Sequence, residues 1–196
     1  MKRKIGFIIL MFSMVMFFSS CNKAPQEQYD SLNTALNAAL EQGADKYLPD
    51  MFNTLMDSMD VVAIEMDAKK GKLFANYSEQ VEKLEGLLVC TDSLVVKLEV
   101  RKTEVKTEVE TMLVEMESMM ETADALVSKA PRGKEGTLAV EAIKNELTTI
   151  TQSVSESVTL SENGDHISAL DKLKVSKARL TSIVAELEGV ISKYQR

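Results

Sequence analysis

The chain has no tryptophan, one histidine and two cysteines in 196 residues, with only three prolines and eight glycines. Each shortage removes a class of chemistry. A single histidine, His166, cannot form a His pair, and no HExxH or CxxC spacing is present, so no zinc site is expected. Serines and threonines are common, yet there is no GxSxG elbow and no second histidine to build a base network. Gly133 and Gly136 bracket Lys134-Glu135 without the Lys-Ser/Thr element of a phosphate loop. Glu115 and Glu117 stand two apart, a spacing that does not place two carboxylates face to face on a helix. Apolar residues alternating at period two are scarce, while spacings of three and four dominate, which reads as all-α. No catalytic residue, cofactor or metal is expected.

What the chain does have begins at its N-terminus. Lys2, Arg3 and Lys4 lead a 14-residue apolar run, Ile5 to Phe18, which ends in Ser19-Ser20-Cys21. That is the layout of a secretory signal, and the run is short for a bilayer span, which takes about 20 residues. The cysteine after small residues resembles the lipobox of bacterial lipoproteins, with Phe18 where that pattern favours Leu, as in the looser lipoboxes of Bacteroidetes-type Gram-negative bacteria. The resemblance covers only the first 21 residues. It implies a signal peptide over 1–20, cleavage before Cys21, acylation of Cys21 (a palmitate-type lipid anchor) and attachment to the membrane. In such lipoproteins an Asp directly after the cysteine favours inner-membrane retention, and an acidic cluster there directs some chains to the cell surface. Asn22-Lys23-Ala24 has neither, which implies an outer-membrane lipoprotein facing the periplasm.

The whole chain carries 23 Lys+Arg and 30 Asp+Glu. Removing Lys2, Arg3 and Lys4 leaves 20 against 30, a net charge of −10 with the histidine neutral. No basic surface for nucleic acid remains, and an acidic body leaves the anchoring to the acyl chains. With Cys21 lipidated, Cys90 has no internal disulfide partner.

The expected organisation is a lipidated tether over 21–28 and a helical domain over 29–196, with possible sub-units 29–100 and 101–196. A first helix is expected from Glu27 to Gln42, with Tyr29, Leu32, Leu36, Ala39 and Leu40 as its stripe and Gly43 at its end. A second starts near Asp45 with Pro49 in its first turns, and carries Leu48, Phe52, Leu55, Met59, Val62 and Met66 to a stop at Gly71. The third is the strongest signal. From Val81 the a/d positions are Val81, Leu84, Leu88, Thr91, Val95, Leu98, Lys102, Val105, Val109, Met112, Met116, Met119, Ala123, Leu126 and Ala130. This predicts a coiled-coil-like helix from Leu73 to Lys129, with its weak point at Lys102, ended by Pro131-Arg132-Gly133. A fourth helix is expected from Lys134 to Leu160, with Val140, Ile143, Leu147, Ile150, Val154 and Val158 on one face. After the Asn163-Gly164 turn, Asp165 caps a fifth with Leu170, Leu173, Leu180, Val184, Leu187, Ile191 and Tyr194, interrupted by Lys177.

The helix–glycine turn–helix around Gly71 recurs around Gly164. Together these features predict an elongated helical bundle of two three-helix units sharing the long helix. The alternative is a single compact up-down bundle in which the long helix folds back near Lys102. Met112, Met116, Met119 and Met120 are expected as core filling rather than soft-metal ligands. Cys90 is expected to point outward, and His166 to be a turn residue. The function these features support is a membrane-anchored, non-enzymatic scaffold or interaction lipoprotein with a protein partner in the envelope. The alternative is a small-ligand or lipid carrier using a cleft between helices.

Overall fold

A computed structural model describes residues 24–131 and 134–194. The expected signal peptide, Cys21 and the first residues of the expected tether lie outside them. The fold is an all-α helical bundle, with no strand among the described residues: α1 (Gln26–Glu41), α2 (Ala44–Tyr47), α3 (Pro49–Lys69), α4 (Ser78–Lys129), α5 (Lys134–Glu162) and α6 (His166–Tyr194). It divides into two compact units, the first ending at Glu99 and the second beginning at Val100.

In the first unit, Pro25 is buried and α1 begins at Gln26, so the last residues expected in the tether belong to the fold. Leu32, Leu36 and Ala39 face inward; Leu40, expected beside them, is exposed. Gly43 leaves the helix at φ 85°, a conformation that glycine adopts without a Cβ penalty. The expected second helix is two. Leu48, at φ −138° and ψ 55°, is pushed out of the helical region by the ring of Pro49, which then opens α3 as its first residue. Phe52, Leu55, Met59, Val62 and Met66 of α3 pack into the same core as Leu32, Leu36 and the α4 residues Leu84, Leu94 and Leu98.

α4 runs without interruption through Lys102, so the chain does not fold back there. It starts at Ser78 rather than Leu73. Gly71 and Phe74 both hold positive φ, and the Asn76 side chain accepts from the Ser78 amide at 2.9 Å, capping the helix from outside. Its a/d positions are all buried or half-buried, as the seam predicts, but the fully buried face takes only some of them and adds Gln80 and Leu94 beside them. In the first unit that face comprises Gln80, Leu84, Thr91, Leu94 and Leu98; in the second, Val105, Val109, Met116 and Ala123, with Ala130 buried just past the helix end. Val81, Leu88, Val95, Met112, Met119 and Leu126 are only half-buried. Gln80, Leu98 and Met116 are 18 apart in succession (98 − 80 and 116 − 98), and 18 residues make about five turns at 3.6 per turn. Burial thus follows the ordinary α-helical repeat. A heptad frame drifts about 20° per seven residues against it, which carries the buried set from the d and g positions to the a positions.

In the second unit, α5 and α6 make the closest helix pair. Ile143, Leu147 and Ile150 are buried as expected, but beyond them Ser157 takes the place expected of Val154 and Val158. On α6 the buried set is Ala169, Leu170, Leu173, Ser176, Leu180, Ile183 and Leu187; Ile191 is half-buried and Tyr194 exposed. Ser176 Oγ donates to Ser153 Oγ at 3.1 Å and Ser157 Oγ to the Ser153 carbonyl at 2.8 Å. Small side chains here let the two backbones approach. Gly164 (φ 83°) turns the chain, and Asp165 accepts from the Ser168 amide at 3.3 Å, capping α6 as the sequence predicts.

Candidate functional site

The feature that sequence reading passed over is the side of α4 that no helix of its unit covers. Val100, Thr103, Thr107, Thr111 and Val114 are all exposed there. Val114 follows the buried Val105 by nine residues, and Thr107 precedes the buried Met116 by nine. At about 100° per residue, nine residues is half a turn, so this strip lies opposite the buried face. Its residues are β-branched throughout, where a solvated helix face is ordinarily Glu, Lys and Gln. The Thr107 hydroxyl donates to the Thr103 carbonyl at 3.0 Å. With the hydroxyl turned onto its own helix, the methyl group is what the side chain offers outward.

One flank of the strip opens into a groove of about 780 Å³, whose floor includes Thr107, Thr111 and Met112. Its rim is charged but internally paired. Arg101 donates to Glu104 and to Glu108 at 3.1 Å each, and Lys177 of α6 donates to Glu115 at 2.5 Å. Lys177, expected as an interruption of the α6 seam, therefore closes the groove's edge while Ser176 fills the core position beside it. The two carboxylates clamped by Arg101 hold it charged and raise its pKa. The arrangement has a floor of methyl and thioether groups and a rim whose charges are already matched. It can receive an apolar surface of helical shape.

The other residues singled out from the sequence are scattered. Met116 is buried, while Met112, Met119 and Met120 are half-buried around it. Cys90 is exposed on α4 in the first unit. His166 begins α6 and its Nδ1 lies 3.0 Å from Ser161 Oγ across the α5–α6 turn. Among the described residues no group of three or more His, Cys, Asp or Glu converges as a metal site, and no helix is long and apolar enough to cross a membrane. Cys21 lies outside the described residues. A signal for the strip was available: Val100 and Val114 stand at outer positions of the heptad frame, where a helix that faces only water has no use for valine. No family model, curated protein or solved structure matches the chain.

Proposed function

We propose that this protein is a membrane-anchored, non-enzymatic lipoprotein that presents the uncovered face of α4 to a partner helix in the cell envelope. The observation that carries the reading is the β-branched strip from Val100 to Val114, opposite the buried face, with its hydroxyl folded back at Thr107 and its flanking charges paired. The strip extends over 15 residues, about 21 Å of helix or four turns, enough to seat a helical segment through side chains at i, i+3, i+4 and i+7. The anchor at Cys21, outer-membrane attachment and periplasmic orientation rest on the leader's resemblance to lipoprotein signals. A carrier role is the second reading, and the groove floored by Thr107, Thr111 and Met112 favours it.

The test is photo-crosslinking in cells with a benzophenone side chain at Thr103 or Thr107, alongside one at the exposed Glu146 on α5. A discrete protein adduct from the strip alone is the expected result. Equal adducts at all three sites, or none at the strip, would remove the interaction face. An adduct with lipid or a small molecule in its place would favour the carrier. Membrane fractionation of Cys21→Ala tests the anchor separately: the variant should accumulate as precursor or leave the membrane fraction.

A further inference from the structure

The first unit carries a second apolar feature, unlike the strip in form. Leu73 and Phe74, in the turn between α3 and α4, are 87% and 85% exposed, the highest values among the large apolar side chains of its described residues. Phe74 also holds φ 65°, a left-handed conformation that is uncommon for a bulky residue. The turn around them is tied down. Lys69 Nζ donates to the Asn76 carbonyl at 2.9 Å and to Gln80 Oε1 at 2.6 Å, the Lys72 amide donates to the Lys69 carbonyl, and the Ala75 amide to the Lys72 carbonyl. Ala75 and Tyr77 pack inward. The result is a fixed tip bearing two uncovered apolar side chains, with Lys70 and Lys72 just before them.

The place of this tip is what gives it meaning. Ala24 and Tyr29, at the start of α1, share a crevice with Met66, Asp67 and Lys70 at the end of α3. Leu73 and Phe74 follow Lys70 by three and four residues, a contour of about 15 Å at most. Cys21 precedes Ala24 by three residues, a contour of about 11 Å at most. The covalent route to the lipid and the exposed Leu-Phe pair therefore leave the first unit at the same end.

We propose that the α3–α4 turn is a membrane-contact site, with Leu73 and Phe74 entering the outer part of the lipid bilayer beside the Cys21 anchor. The inference rests on the reading of Cys21 as that anchor. A lipid chain holds the domain within a few residues of the surface, so the pair meets the bilayer at high effective concentration. Its aromatic and aliphatic groups suit the interfacial region, while Lys70 and Lys72 can extend their amines to headgroup phosphates. Asp67, which pairs with Lys70 at 3.8 Å, tempers the local positive charge, so apolar insertion rather than charge is the principal contact.

The chain has no tryptophan, so Phe74→Trp provides a unique fluorophore at the tip. The full chain carrying it, recovered from membranes, is reconstituted into phosphatidylethanolamine–phosphatidylglycerol vesicles with and without brominated acyl chains. Its emission should shift to the blue and lose intensity to bromine, with Leu73→Trp behaving alike. Glu41→Trp, exposed at the far end of α1, should keep solvent-type emission. Solvent-type, unquenched emission from both tip variants in chains that co-float with the vesicles would overturn the contact site and leave the anchor standing. A Cys21→Ala chain that fractionates and co-floats as the parent does would overturn the anchor reading, and this inference with it.

Discussion

At their buried polar positions the first unit joins α3 to α4 with long side chains and the second joins α5 to α6 with short ones, Glu156 and Lys172 pairing across the latter only at its exposed edge. Between α3 and α4, Gln80 is 1% exposed and takes a hydrogen bond from Lys69 while giving one to Glu65 at 2.9 Å; Lys83 donates to both oxygens of Glu65 at 2.7 Å. Between α5 and α6, Ser153, Ser157, Ala169 and Ser176 occupy the corresponding space, and the serine hydroxyls satisfy one another or their own backbone. One interface bridges a gap with polar groups that each need a partner; the other has little gap to bridge. Every buried side-chain nitrogen or oxygen among the described residues has a partner, so both solutions close. They differ in what a substitution leaves behind.

The largest effects should be shared by both units, because large apolar residues are fully buried in each. Leu84→Ala in the first and Leu173→Ala in the second should each cost about 2–5 kcal/mol in urea unfolding. A cost below about 1 kcal/mol for either would show that its unit is not built around that residue.

The next pair separates the interfaces. Gln80→Leu keeps the volume but leaves Lys69 and Glu65 each short of a hydrogen bond, a cost of about 1–3 kcal/mol. Ser157→Ala should change stability by less than about 1 kcal/mol, since the lost hydroxyl served only its own helix and alanine favours that helix. Ser157→Leu, by contrast, must force the helices apart at about 1–3 kcal/mol. If Ser157→Leu is neutral and Gln80→Leu stabilises, the comparison is reversed.

Acid provides a smaller effect of the same sign in both units. The Glu65 carboxyl titrates below its ordinary range because it accepts from Lys83 and then from Gln80; Glu156 does so because it accepts from Lys172 and then from Gln152. A carboxyl depressed in the folded state contributes stability above its unfolded pKa, near about 4.3, and loses that contribution as pH falls through the lower folded value. Glu65→Gln and Glu156→Gln should therefore each flatten the decline of urea midpoints on acidification. An unchanged slope in either variant would show that its carboxyl does not titrate differently on folding. Smallest of all is Glu104→Gln on the exposed groove rim, with less than about 0.5 kcal/mol expected from thermal melts despite its contact with Arg101. A larger loss would make that rim part of the fold's stability.

The parts of this fold legible in the sequence are those where one residue type has one reason to be present. Leu32, Leu36, Phe52, Leu84, Leu98, Leu173 and Leu187 are buried where spacing placed them, and Gly43, Gly71 and Gly164 turn the chain with positive φ. Gln80 was not legible, because its burial depends on Glu65 and Lys69, 15 and 11 residues earlier on another helix. Ser157 and Ser176 were not, because small polar residues read as solvated until a neighbouring backbone is close enough to need them. Leu73 and Phe74 stand outside α4 because Asn76, two residues later, caps the helix from its own side chain, a start signal that the seam from Val81 onward does not contain. The strip at Val100–Val114 was overlooked for a related reason: heptad matching accounts for the residues that fit its seam and is silent about apolar residues outside it.

The ordinary helical repeat of burial along α4 also limits how the chain can vary in length. Within the second unit, one residue inserted between Val109 and Met116 turns everything after it by about 100°, moving Met116, Ala123 and Ala130 out of the core and charged neighbours into it. Insertions of seven or eleven residues miss the original face by only about 20° in opposite senses, and eighteen restore it. Viable length variants in this stretch should therefore differ by whole blocks of turns.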